Sequence, residues 1–282
     1  MKKSLLTMSI LLAAGSVSAG DFYLDVGTAY GPLGGQVTPT STSMKNQFTF
    51  QYESNTVIND LDANGIDAND TLTTIAGLAV GNLPENNVTG FTPNQIFGSN
   101  SNNGYGSDWI LSFSITGLNG VVTGVTGGGV PLFQYGPGLL ELFITFDDGM
   151  GGFTPVNNFM DINILGGSAT GVGIEMVGLA DFTNVDAGYN NLIHSGDADC
   201  GGLNGFFDIF TNCGSAMPIA FFADFNTNVT TSQFTDNGDG TFELTSNHDG
   251  SATFSVPEPG TLALLGGSLV LMGGMARRNK KA

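Results

Sequence analysis

Hydrophobic and polar positions alternate along much of this chain. Phe48, Phe50 and Tyr52 interleave with Thr49, Gln51 and Glu53. Trp109, Leu111, Phe113 and Ile115 interleave with Ser112, Ser114 and Thr116, and Phe242 and Leu244 with Thr241, Glu243 and Thr245. A period of two with one apolar face predicts half-buried β-strands. Residues 139–146 and 219–225 are apolar on both faces and read as more central strands, whereas no segment of useful length carries a helical period. Asn64-Gly65, Asn119-Gly120, Gly127-Gly128-Gly129, Asp148-Gly149 and Asp239-Gly240 punctuate these runs with residues that suit the positive φ angles of tight hairpins. Many short strands divided in this way predict an all-β sandwich or jelly roll, with the 21 Phe supplying its bulk. No internal repeat suggests a propeller or solenoid. We read one elaborated sandwich over 20–255 in preference to two smaller ones divided near 149–152.

The two ends have a different character. Lys2 and Lys3 precede an apolar stretch at 5–14, and Val17-Ser18-Ala19 offers small residues at a cleavage site. This predicts a secretory signal peptide at 1–19 and a mature start at Gly20. At the other end, Pro257-Glu258-Pro259-Gly260-Thr261 leads into an uncharged Leu/Gly-rich stretch that closes on Arg277, Arg278, Lys280 and Lys281. The uncharged stretch is somewhat short of the ~20 residues that span a bilayer core, a shortfall that snorkelling arginines or local thinning can cover. The basic tail would stay cytoplasmic, leaving the body outside.

Taken in order, the Pro-Glu-Pro triplet, the apolar helix and the basic cluster over 256–282 resemble the PEP-CTERM sorting signal. The resemblance implies an exported protein of a Gram-negative bacterium, recognised by an exosortase around Pro257, Glu258 and Pro259. The helix would anchor the chain in the membrane transiently and be removed on processing. Some members of that class are linked to flocculation or biofilm matrix. The resemblance does not extend to the body.

Charge narrows the function classes. Of the 25 acidic residues, 24 lie between Asp21 and Asp249, with one basic residue, Lys45, among them. A nucleic-acid backbone needs several Lys/Arg phosphate contacts, so nucleic acid is excluded as a partner. The cations that grip nucleotides and phosphorylated metabolites are missing as well.

Cys200 and Cys213 are the only cysteines and both lie in the exported part. An oxidising compartment and an even count predict a disulfide between them, worth roughly 3 kcal/mol in the chain-entropy model. The spacing of His194 and His248 relative to these cysteines fits no compact zinc pattern. His194, Ser195 and Asp197 contain the letters of a catalytic triad, but adjacent residues rarely meet its geometry and no Gly-x-Ser-x-Gly elbow is present. We expect no enzyme activity.

The sharpest local feature is the acidic loop 60–70. Asp60, Asp62 and Asn64 occupy positions 1, 3 and 5 of the Asp-x-[Asp/Asn]-x-[Asp/Asn]-Gly calcium pattern, with Gly65 at the turn and the Ile66 carbonyl as a further ligand. Thr71 stands where an EF-hand needs a bidentate Glu, and no flanking helices are visible. Two readings remain: a looser Ca²⁺ loop completed by Asp67 or Asp70, and an acidic solvent-exposed turn.

These features predict a non-catalytic cell-surface or extracellular-matrix protein, associated with exopolysaccharide or other matrix components in biofilm or floc formation. The alternative is a carbohydrate-binding or carbohydrate-processing module. Solvent-exposed Tyr105, Trp109 or Tyr135 beside clustered acids would favour that alternative, and full burial of Trp109 would weigh against it.

Overall fold

The computed structural model describes residues 21–26, 41–83, 86–92, 104–147, 153–169, 173–186, 188–196, 201–213, 219–226 and 229–255, with backbone alone at 153–155, 169 and 225–226. The expected signal peptide and C-terminal helix lie outside the described residues. Among the described residues thirteen strands and one α-helix follow in chain order: β1 (Phe22–Leu24), β2 (Gln47–Asn59), β3 (Thr71–Gly77), β4 (Asn87–Thr92), β5 (Trp109–Val125), β6 (Pro131–Tyr135), β7 (Gly138–Asp147), β8 (Phe153–Ala169), β9 (Gly173–Asp181), β10 (Ile193–Ser195), α1 (Phe206–Cys213), β11 (Ala220–Asn226), β12 (Thr235–Asp236) and β13 (Thr241–Ser255).

The chain is all-β in substance, but the expected pair of facing sheets is replaced by one sheet that closes on itself. Each strand pairs antiparallel with the next of the series β2, β3, β5, β6/β7, β8, β9, β11 and β13, and β13 returns to pair with β2 from Thr241↔Asn59 to Ala252↔Phe48. β6 and β7 act as one strand. Both pair with β5 in a single register, Tyr135↔Gly120 and Leu140↔Ile115, and both pair with β8. Pro137, which has no N–H to give the ladder, stands at the break between them. Followed pair by pair round the ring, the register returns to β2 roughly ten residues displaced, the stagger that barrel closure demands. The result is an up-and-down β-barrel in which β7 and β8 pair with each other on either side of 149–152.

Alternation fills the barrel. Along β2, Phe48, Phe50, Tyr52, Ser54, Thr56 and Ile58 are buried while their neighbours are not. Leu140, Leu142, Ile144, Met160, Ile162 and Ile164 of β7 and β8 are buried as well. One end is dry and aromatic. Phe22 of β1 meets Phe48 and Phe254 edge-on at ring separations of 4.9 and 5.7 Å, and Phe206 of α1 meets Phe254 at 5.5 Å. β1, paired with β10, and the helix therefore plug this end.

Three local expectations change. Residues 206–213 form a helix where no helical period was legible. Asn119-Gly120 lies inside β5 and makes no turn. On β11, Phe221 is buried but Phe222 is 38% exposed, so that strand has one buried face only.

Candidate functional site: an acidic loop and a polar barrel mouth

The loop joining β2 to β3 is built round two carboxylates. Asp60 accepts backbone N–H bonds from Asp62, Ala63 and Asn64 on one oxygen and from Gly65 on the other, at 2.7 to 3.4 Å. Gly65 is needed here because its φ of 98° lies in the left-handed region. Asp70, 2% exposed, accepts from Leu61 at 3.0 Å and Asp67 at 2.9 Å. Together these bonds fold the loop back on itself.

One carboxylate oxygen from each of Asp60, Asp62 and Asp70 lies within 4.8 Å of the others, and among the described residues this is the only such group able to hold a metal ion. The structure thus brings together three of the expected ligands. Asn64 turns its amide NH₂ onto Asp62 at 2.9 Å, Asp67 supplies its backbone N–H to Asp70, and the Ile66 side chain packs against the core. Between Asp67 and Asp70, it is Asp70 that joins the cluster. The backbone N–H of Gly65, and then those of Ala63, Asp62 and Asn64, hold the Asp60 carboxyl below its ordinary pKa. Desolvation, and then the charges of Asp67 and Asp60, push Asp62 the other way. Asp62 accepts one N–H bond and Asp70 two, which leaves lone pairs on both, whereas the four N–H bonds to Asp60 engage most of its own. Oxygen donors of this kind suit a hard divalent cation.

The second feature was not anticipated. Beyond Tyr52 the inward face of β2 turns polar at Ser54 and Thr56, and the neighbouring strand β13 places Ser246 opposite Ser54 and His248 opposite Tyr52. His248 Nε2 lies 2.8 Å from Ser54 Oγ and 2.7 Å from Ser246 Oγ. Thr56 and Thr74 hydroxyls are 2.9 Å apart, and Thr74 lies 3.2 Å from the Tyr135 hydroxyl. These groups line a small half-open cavity of about 40 Å³. Leu118, the cross-strand neighbour of Thr74, and Phe133, on the same face of β6 as Tyr135, line it as well, as do Ile174, Met176, Val229 and Phe234. Burial pushes the Tyr135 hydroxyl up to about 12, and drives Tyr52 well above its ordinary value, so both phenols stay protonated. The period-two pattern of β2 held the signal for this site: continued past Tyr52, its inward positions become Ser54 and Thr56.

The remaining candidates separate. His194 Nε2 meets the Asn191 carbonyl oxygen at 2.9 Å and its ring stacks on Tyr23 at 4.9 Å. Ser195 is buried, and Asp197 lies outside the described residues, as does Cys200. Cys213 ends α1, and no cysteine among the described residues is free. Trp109 is fully buried and Tyr135 is 4% exposed, while the Tyr105 hydroxyl donates to the Val88 carbonyl, so none of the three offers an exposed stacking platform. Lys45 is also fully buried, 5.9 Å from the Phe91 ring centroid, with its pKa lowered by desolvation.

Pro257, Glu258 and Pro259 lie beyond the described residues, directly after β13. Among the described residues no helix is long and apolar enough to cross a membrane. No curated protein and no solved structure matches the chain. Residues 255–281 match the family model of the PEP-CTERM protein-sorting motif, beginning at the last residue of β13. That tail marks the chain as a PEP-CTERM domain-containing protein, an exported Gram-negative protein sorted and processed by an exosortase.

Proposed function

We propose that the barrel is a non-catalytic cell-surface or extracellular-matrix protein that associates with exopolysaccharide and serves biofilm or floc formation. The observation that carries this reading is the junction at Ser255. The sorting motif starts where the last barrel strand ends, so removing the tail leaves every barrel strand intact. Charge gives the mechanism. The one cation between Asp21 and Asp249, Lys45, is buried, which leaves carboxylates as the charged groups that the described surface presents. An anionic barrel meets an acidic polysaccharide through divalent cations, and the Asp60, Asp62 and Asp70 cluster is the place for one. A disulfide between Cys200 and Cys213 would tie α1 to the loop before it, a useful staple outside the cell. The carbohydrate-module alternative loses its aromatic platform with the burial of Trp109.

The test is co-sedimentation of residues 20–255 with the host's own exopolysaccharide, with Ca²⁺ and with EDTA. Calcium-dependent pelleting that Asp60→Ala and Asp62→Ala weaken is the expected result. Absence of pelleting in both conditions would refute the matrix reading.

A further inference from the structure

His194 stands apart from the barrel wall. It lies on β10, which pairs with β1 outside the closed ring, and it faces Gly205 across an antiparallel bridge that leads into α1. Its Nε2 is 2.9 Å from the Asn191 carbonyl oxygen and must donate there, because a carbonyl only accepts. That bond fixes the tautomer of the neutral ring and leaves the lone pair on Nδ1. Nδ1 is buried and has no hydrogen-bond partner, and neither has the buried Oδ1 of Asn191. Stacking on Tyr23, 4.9 Å away and 7° from parallel, holds the ring in this orientation.

Gly205 brings a third acceptor to the same place. Paired residues of antiparallel strands carry their side chains on one face, with Cβ atoms about 4.5–5.5 Å apart. Gly205 has no side chain to put beside His194. A Cβ there would stand 2.9 Å from Asp208 Oδ2 and 3.4 Å from Asn191 Oδ1. The first turn of α1 carries Asp208 in, with the Ile209 N–H bonded to the Gly205 carbonyl at 2.9 Å. An imidazole nitrogen, an amide oxygen and a carboxylate oxygen therefore border the face that the glycine leaves clear. None of the three donates, so they cannot satisfy one another, and buried acceptors without a donor cost stability.

We propose that His194 Nδ1, Asn191 Oδ1 and Asp208 Oδ2 bind a first-row divalent metal ion of the Zn²⁺ class, with water completing its shell. Imidazole selects that class over hard Ca²⁺. A ligating histidine that gives its other ring N–H to a backbone carbonyl is the usual way such a ring is oriented. Three protein ligands leave a position for water. The side chains of Asn191, His194 and Asp208 are half-buried, so an ion can reach them from solvent. The set differs in composition from the carboxylate triad of the acidic loop, and His248, in the barrel mouth, takes no part in it.

The test uses the full chain in dodecyl maltoside with Zn²⁺ as the probe, in excess Ca²⁺ so that sites for hard ions stay out of the titration. Saturable binding of one Zn²⁺ per chain is expected. The chain has 2 His, so the ¹⁵N spectrum of its imidazoles is simple, and His248→Gln identifies the His194 signals. Zn²⁺ should shift the Nδ1 resonance of His194 while Nε2 keeps its proton. His194→Gln should abolish the saturable binding. Losing a ligand's second-shell partner commonly costs about 10–100-fold in affinity, so losing a ligand itself, in Asp208→Asn, should cost at least about tenfold. Both variants should retain the cooperative thermal unfolding of the parent, and either one decides the matter if the other fails to fold. No saturable Zn²⁺ binding by the parent, binding that survives both variants, or a His194 Nδ1 signal that does not move would each overturn the proposal. Calcium-dependent co-sedimentation with polysaccharide uses none of these side chains, so the two readings fail separately.

Discussion

Phe254 is the residue on which barrel closure can be tested most sharply. It is fully buried on β13, one residue before the sorting motif begins, and its ring meets those of Phe22, Phe48, Phe206 and Phe221 at 5.4 to 5.7 Å. Those partners come from β1, β2, α1 and β11, so one side chain joins the barrel wall to its plug. Phe254→Ala removes a whole ring from a close-packed site, a change that costs about 3–5 kcal/mol. Part of the loss is the edge-to-face pairs themselves, each worth about 0.5–1.5 kcal/mol beyond the area buried. Against a typical stability of about 5–15 kcal/mol this is a large fraction. The assay is urea unfolding of residues 20–255, followed by the fluorescence of the single Trp109, which is buried on β5. The midpoint should fall by that loss divided by the slope, with the slope itself unchanged, because the whole ring unfolds as a unit. Phe254→Leu should recover most of the loss, and Phe222→Ala, on the exposed face of the neighbouring strand, should cost under about 1 kcal/mol. A loss below about 1 kcal/mol for Phe254→Ala would refute the reasoning. So would a much shallower slope, since it would mean that β13 detaches on its own.

Further outcomes follow from particular contacts. Gly77 has φ of 67°, and a Cβ there would stand 2.2 Å from the Phe113 carbonyl oxygen, so Gly77→Ala should destabilise by more than about 1 kcal/mol in the same urea assay. Glu141, Asp161 and Asp181 sit in direct cross-strand register on β7, β8 and β9. Burial first, and then the charge of the neighbouring acid, pushes Glu141 and Asp161 above their ordinary values. Folded, these two bind protons more tightly than unfolded, so their contribution to stability improves as pH falls through the window just above about 4 and worsens as pH rises through it. Glu141→Gln should therefore stabilise the barrel at pH 7 by about 0.2–1 kcal/mol, with the gain vanishing below that window in pH-dependent thermal melts. Asp60 runs the other way: its lowered value means that its support for the loop is present above the unfolded pKa and lost on acidification. Asp60→Ala should open the 60–70 loop to limited proteolysis at neutral pH and leave β2 and β3 protected.

How much of this was legible in the sequence depends on the range of the interaction. β2, β5, β7 and β13 could be read because a half-buried strand writes its facing into every second residue, as Phe48, Phe50 and Tyr52 do. Gly120 was misread as a turn. Its Cβ would stand 2.7 Å from the Gln134 carbonyl oxygen, so the glycine serves close approach of β6 to β5, a contact that no local pattern reveals. Eight residues at 206–213 are too few to set a helical period against the background of neighbouring Phe and Gly. Ring closure depends on Thr241↔Asn59 and the pairs that follow it, between strands at opposite ends of the body. The acidic loop was visible because its ligand pattern is contiguous. The barrel mouth was not, because Ser54, Thr74, Tyr135 and His248 meet only after the ring has closed.

The most direct test of the account is the form in which the protein leaves the cell. Intact-mass analysis of the host's cell-envelope and extracellular-matrix fractions should find the body outside, its C-terminus near Pro257–Glu258–Pro259 and the tail bearing Arg277, Arg278, Lys280 and Lys281 removed. Replacing Pro257, Glu258 and Pro259 by Ala should hold the tail-bearing chain in the inner membrane. A matrix form that still carries the basic tail, or a triple variant that fractionates like the parent, would contradict the claim that this barrel is an exosortase-sorted cargo.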